Sequence, residues 1–221
     1  MLNLSGTIDL IARYMPSILS SCVIVIELTL FTILISWVCG LFAGIGKSSK
    51  YKIFSYPCRF YIWFIRGTPT LIQVYLVYFG LPQFGIQMPP FTAGILALGI
   101  NSGAYVAEIF RAGLSAIPRG QMESARALGM TYTKAMRRII LPQVVRIILP
   151  AITNEGITML KNTSLLSTIT VLELTLQTQV VIARTFRPFE FYIVASVLYL
   201  VMTTVLSHYS DKLEKKYALS I

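Results

Sequence analysis

Charge is scarce in this chain, and acid is scarcer still: of 221 residues only 13% are charged, with nine Asp and Glu against nineteen Lys and Arg. A water-soluble domain carries about 25% charged residues. With 55% hydrophobic residues and a mean hydropathy of +0.70, the chain reads as one whose solvent is the bilayer. Histidine occurs once, as His208 near the end of the last apolar run, with no Cys or His at ligand spacing, so no metal site is expected. The three cysteines, Cys22, Cys39 and Cys58, are odd in number and two lie in an apolar run, which argues against a disulfide framework. A phosphate-binding loop is also lacking. In the stretch Gly40 to Ser48, five residues separate Gly40 from Gly46, where the motif requires four and a preceding strand. Absence of a His pair or nucleophile elbow sets aside a membrane-embedded enzyme. The apolar stretch Ser17–Gly46 is too long for a signal-peptide core and has only Arg13 before it, so it is expected to stay in the mature chain.

What is present is a series of apolar segments. Crossing the hydrocarbon core takes about 20 mostly apolar residues in a helix. Residues 20–46, 60–80, 90–112 and 188–209 meet that length. Residues 143–170 are interrupted by Thr153, Asn154, Glu155, Thr158, Lys161, Asn162, Thr163 and Ser164, and are expected to cross while buried among other helices. The run Leu172–Ala183, followed by Pro188, is expected to form an external re-entrant or surface segment. The fold class is thus all-α integral membrane protein, with five transmembrane helices in a single domain over 1–221. Basic residues set the orientation. Lys47, Lys50, Lys52 and Arg59 lie in 47–59; Arg111, Arg119, Arg126, Lys134, Arg137, Arg138 and Arg146 lie in 111–146; Lys212, Lys215 and Lys216 lie in the tail. The loop 81–90 has none. This asymmetry predicts the N-terminus outside and the C-terminus in the cytoplasm.

Residues 115–142, SAIPRGQMESARALGMTYTKAMRRIILP, then form a cytoplasmic connection. Pro118 opens a short helix and Gly129 stops it. Thr131 caps a second helix with Ala135, Met136, Ile139 and Ile140 on one side and Lys134, Arg137 and Arg138 on the other, expected to lie along the membrane surface and end near Pro142. On periodicity alone this is an interfacial hairpin. Its residue identities are more specific. Glu123, Ser124, Ala125, then Gly129, Ile139, Leu141 and Pro142 at their spacings resemble the EAA signature of ABC-importer permeases, with Ser124 where that pattern usually has alanine. The resemblance implies the type I importer permease fold, in which this short helix docks into a cleft of the ATP-hydrolysing subunit. Glu123, Ser124, Ala125, Leu128, Gly129, Ile139, Leu141 and Pro142 are the coupling candidates. Arg66-Gly67-Thr68-Pro69 with Leu71, Gln73 and Tyr78–Pro82, and Ala104-Tyr105 with Ala107–Ile109 and Arg111–Gly113, are similar to the polar amino-acid branch of the histidine, glutamine and arginine type. So is Lys161–Leu165.

Membership implies a bacterial inner-membrane location and several partners. These are a pair of ABC ATPase subunits that use ATP and Mg, a second permease copy, identical or paralogous, and an extracytoplasmic solute-binding protein. No cofactor is expected on this chain. Residues Leu172–Gln179 and Thr185–Ala195 look like permeases handling cystine or related sulfur amino acids. The rival reading is an ion-coupled secondary carrier, against which stands the absence of a convincing internal repeat. Ionisable and polar groups inside the spans supply the substrate-path candidates Arg66, Thr68, Gln73, Asn101, Ser102, Glu155, Thr158, Lys161, Asn162 and Thr163. The other reading of each is helix–helix hydrogen bonding or a structural kink. Glu108 and Arg111 are placed to pair at i,i+3, and Glu27 is expected to find a partner.

Overall fold

In hydrocarbon a backbone N–H or C=O has no water to bond, so apolar runs close their hydrogen bonds internally as helices. A computed structural model describes residues 4–217, and no strand occurs among the described residues. Helix α1 (Leu4–Lys47) is followed by α2 (Lys52–Gly67) and α3 (Thr70–Tyr75), which continues through a π turn (Leu76–Gly80) and a 3-10 turn (Leu81–Phe84). Next come α4 (Pro90–Ala116), α5 (Arg119–Ala127) and α6 (Tyr132–Ala135). A π turn (Met136–Ile140) leads into α7 (Leu141–Asn162), a 3-10 segment (Thr163–Ile169), α8 (Leu174–Thr185) and α9 (Pro188–Tyr217).

Helix α4 is the centre. Pro90 starts it at a position where an N–H is not needed, and Ala93, Ala97, Leu98, Ala104 and Ala107 are buried along it. Small residues bring α1 against it. A Cβ on Gly103 would stand 2.6 Å from Cβ of Cys39 and 3.4 Å from the backbone nitrogen of Gly40, so only glycine permits this crossing. Leu28, Val74, Leu98, Met159 and Leu166 close the core around it. Cys22, Cys39 and Cys58 are free and half-buried.

Four boundaries differ from the sequence reading. Helix α1 begins at Leu4 rather than near residue 20. Its early turns are held by a cluster shared with α8 and α9: Leu10, Ile11 and Tyr14 pack against a core that includes Val181 and Phe191, and the guanidinium of Arg187, just before α9, donates to Thr7 Oγ1 at 2.7 Å. The second helix of the basic connection does not stop at Pro142. Pro142 cannot donate to the carbonyl four residues back, and the π turn bridges the defect by letting the Leu141 N–H bond the Met136 carbonyl. The helix therefore runs on into α7. Helix α9 extends past residue 209 to Tyr217, with Lys215 and Lys216 in its last turn, where cations suit the helix dipole.

The fourth difference concerns 60–80, which is two helices rather than one. Thr68 and Pro69 are extended (φ −121°, ψ 150° and φ −64°, ψ 136°). Pro69 has no N–H for the Ile65 carbonyl. Buried Gln73 supplies the missing donor: its Nε2 reaches Ile65 O at 2.8 Å, Thr68 O at 3.1 Å and Thr68 Oγ1 at 2.8 Å. Asn101 of α4 holds Gln73 in turn, donating from Nδ2 to Oε1 at 2.9 Å. Gln73→Leu is expected to strand these carbonyls at about 1–3 kcal/mol each. Its thermal midpoint in detergent should fall by on the order of 5–10 °C, and an unchanged midpoint would show the network to be dispensable.

Three helices, α1, α4 and α9, are each long and apolar enough to cross a membrane. The helical stretch 132–169 joins them if it is paired with α8, which leaves at a 50° bend after Thr170, a residue in left-handed conformation at φ 67°.

Candidate functional site

The basic connection folds as a helical hairpin, and it sorts the coupling candidates by exposure. Thr131 Oγ1 accepts from the Lys134 N–H and caps α6 as expected. Ala135 and Ile140 are buried, Met136 and Ile139 half-buried, and Lys134, Arg137 and Arg138 exposed. On α5, Ala125 is only 1% exposed and packs inward, while Glu123 and Ser124 point out. Leu128 stands 82% exposed at the helix exit, beside the exposed Glu123 and Ser124 of the same short helix. Gly129 follows with φ +77° and no atom within 4 Å of where a Cβ would sit. Leu141 and Pro142 are exposed at the start of α7. The outcome is a small convex surface of Glu123, Ser124, Leu128 and Gly129 carried on a hairpin whose inner face is packed.

The polar groups of the membrane helices fall into separate sets rather than one stripe. Thr68, Gln73 and Asn101 serve the break between α2 and α3 described above. Arg66 lies beside the Tyr105 ring, 5.5 Å from its centroid, and 3.9 Å from Glu108. Ser102 Oγ donates to Glu155 Oε1 at 2.8 Å across α4 and α7. This pair lines a cavity of about 150 Å³ among α1, α4, α7 and α9, together with Ser36 and Tyr209. Thr158 bonds its own helix at Asn154 O, 3.0 Å away, and Thr163 is buried with its hydroxyl on Leu160 O at 2.7 Å. Asn162 is half-buried, whereas Asn154 and Lys161 are exposed on the outward side of α7. Glu27 is likewise exposed on α1, and the partner expected for it is not found among the described residues.

Known proteins share both the sequence and this architecture. Residues 36–218 match the family described as binding-protein-dependent transport system inner membrane component. The arginine transport system permease protein ArtQ of Bacillus subtilis is 37% identical over 216 residues, covering 97% of each chain. The chain belongs to the amino-acid permeases of ABC importers. The glutamine transport system permease protein GlnP of Escherichia coli is 40% identical over 181 residues, covering 81% of this permease and 83% of the relative. Among solved structures, an amino acid ABC transporter crystallised with histidines superposes with a TM-score of 0.89 at 44% identity, over 93% of this permease and 96% of that chain. The inward-facing MetNI methionine ABC transporter, at 16% identity, TM-score 0.69 and coverage of 99% and 100%, shares the fold. As an inner-membrane component of this family the permease is a transport subunit and not an enzyme; ATP hydrolysis belongs to a separate ATPase. The ion-coupled carrier gains no support from these matches.

Two features of the permease were not legible in its sequence. Glu108 pairs with Arg111 as expected, at 2.9 Å, but it also binds Lys47 of α1, 61 positions away, a pairing no local spacing announces. Glu173, to which no role was assigned, is fully buried in the segment read as external. Its carboxylate caps α8 by accepting from the Thr175 and Leu176 N–H groups at 2.9 and 3.0 Å, and the Tyr199 hydroxyl donates to it at 2.8 Å. Glutamate is not a favoured capping residue, so only its position directly before a helix hinted at this use.

Proposed function

We propose that this permease forms half of the membrane pathway of an ATP-driven importer for a polar amino acid. In this reading residues 1–221 make one transmembrane domain. Its five crossings are α1, residues 60–80 (the end of α2 with α3 and its π turn), α4, α7 and α9. The N-terminus lies outside and the C-terminus in the cytoplasm, the side carrying the basic connection. Helix α5 is the coupling helix, with Glu123, Ser124, Leu128 and Gly129 meeting the ATPase, Ala125 setting its packing, and Ile139, Leu141 and Pro142 joining it to α7. The observation that carries the reading is the exposure of Leu128 and Gly129 at the exit of α5, on a hairpin whose inner face alone, with Ala125, Ala135 and Ile140, is packed within the chain.

A second copy, identical or paralogous, completes the pathway. Exposed Asn154 and Lys161 on a membrane helix support it, because polar groups facing lipid are costly and such groups normally face protein or water. Two ATPase subunits using ATP and Mg and an external binding protein complete the assembly. Loaded binding protein and ATP close the ATPases, α5 carries the movement to the spans, and hydrolysis resets the inward state. The substrate path we assign to Glu155 and Ser102 with Thr158, Lys161, Asn162 and Thr163. Thr68, Gln73 and Asn101 border it as supports of the α2–α3 break, and Arg66 borders it from beside Tyr105.

Amino-acid transport is the activity named for the relatives, and a polar amino acid suits a cavity with a carboxylate in apolar walls. Within that class cystine or a related sulfur amino acid is the substrate to test first. The test is uptake by the complete complex in proteoliposomes, with a competition series of amino acids. Uptake is expected only with ATP and binding protein together. Accumulation driven by an ion gradient without ATP would overturn the assignment.

A further inference from the structure

We propose that the cleft between the end of α1 and helix α2 holds the phosphate-bearing headgroup of an anionic phospholipid. The cleft, about 370 Å³, is lined by Lys47, Arg59, Ile62, Trp63, Arg66 and Gly67. Three of those six residues are cationic and none is acidic. The nearest carboxylate, Glu108, already engages Lys47 and Arg111, and Arg66 reaches it only at 3.9 Å. Arg59 has no carboxylate partner among the described residues. The local balance of Lys47, Arg59, Arg66 and Arg111 against one glutamate therefore leaves an uncompensated positive field with two guanidinium groups, whose planar forks match phosphate oxygens.

The surface around the cleft selects a lipid over a free anion. At 100° per residue, Ser55, Ile62 and Ile65 form the protein-facing side of α2, and all three are buried. Arg59 and Arg66 fall on the adjoining flank, and beyond them Ile53, Phe60, Trp63 and Phe64 make an outward apolar face, exposed by 77%, 62%, 71% and 37%. A phospholipid whose acyl chains lie along that face brings its phosphate to the arginine flank. This is the arrangement of aromatic anchors and basic pockets found at membrane interfaces. Inorganic phosphate would use the cations and leave the aromatic face unexplained. The inference rests on the membrane location of the chain and not on its substrate or on the coupling assignment.

The test uses the complete transporter, purified with its ATPase, stripped of lipid in detergent, and titrated with phosphatidylglycerol or phosphatidylcholine. Bound lipid is read by native mass spectrometry. The expected result is a single phosphatidylglycerol held per permease chain in preference to phosphatidylcholine. That preference should fall roughly tenfold or more in Arg59→Gln/Arg66→Gln, and should be kept in Lys212→Gln/Lys216→Gln, which removes the same charge elsewhere. Arg59→Gln alone, which breaks no ion pair, should show part of the loss and guards against a folding defect in the double variant. Excess inorganic phosphate should leave the lipid bound. Displacement of the lipid by phosphate would make this a free-anion site and overturn the proposal. So would equal retention of the two lipids, or an equal loss in the tail variant.

Discussion

Gly129→Val is expected to abolish ATP-driven uptake while leaving the permease folded and inserted. The residue sits at φ +77°, a left-handed conformation that costs an L-residue roughly 1–2 kcal/mol and suits a β-branched one least. No atom lies within 4 Å of its added Cβ position, so the damage is not a packing clash. It is a change in the direction in which the chain leaves α5, and hence in the pose of Glu123, Ser124 and Leu128. Leu128→Asp tests the same surface without touching the backbone. At 82% exposure Leu128 contributes little to the fold of the isolated chain. If it is an interface anchor, its loss costs about 2 kcal/mol or more, roughly thirtyfold in affinity for the ATPase. The checks are co-purification of the ATPase, binding-protein-stimulated hydrolysis and uptake, with a thermal melt as the folding control. Full hydrolysis and uptake in both variants would remove α5 from the coupling route.

Glu155→Leu carries the second large effect, a loss of uptake of about tenfold or more with assembly and ATP hydrolysis kept. The carboxylate faces a small cavity in which its hydrogen-bond donor is the Ser102 hydroxyl. A charged hydrogen bond to a substrate ammonium is worth about 1.5–3 kcal/mol, which spans roughly ten- to a hundredfold. The competing explanation is that Glu155 only joins α7 to α4. Ser102→Ala separates the two. If joining is the whole role, Ser102→Ala and Glu155→Leu should lower the thermal midpoint alike and leave substrate concentration dependence unchanged. If Glu155 meets substrate, Glu155→Leu should raise the half-saturating concentration while Ser102→Ala does so far less. Tracer uptake over a range of substrate concentrations decides between them.

Some pairings were legible because they are local. Glu108 and Arg111 sit three apart on one helix, and Thr131 stands where an N-cap belongs, so spacing alone anticipated both. Other residues looked alike in sequence and parted in space. Gln73 and Glu155 are each polar interruptions of apolar runs, yet Gln73 repairs a backbone broken by Pro69, while Glu155 opens on a cavity. Lys161 and Thr163 also part, one exposed and the other fully buried, but for a local reason: a step of two residues turns about 200° around a helix and lands on the opposite face.

By itself, then, the amino-acid order determined an all-helical membrane chain, its apolar segments, the hairpin of the basic connection and the motif that it carries. These follow from hydropathy, periodicity and capping, which act within a few turns of helix. The tertiary structure decided how far helices run when neighbours hold them, as with the early turns of α1 packed against α8 and Phe191, and which side chains repair a proline defect, as Gln73 does at the Thr68 break. It also decided which polar groups meet, as with Lys47 and Glu108 or Glu173 and Tyr199. The physical reason is the same throughout. In a medium with no water to satisfy it, a buried polar group takes whatever partner the packing brings, and packing joins faces that are distant in the chain.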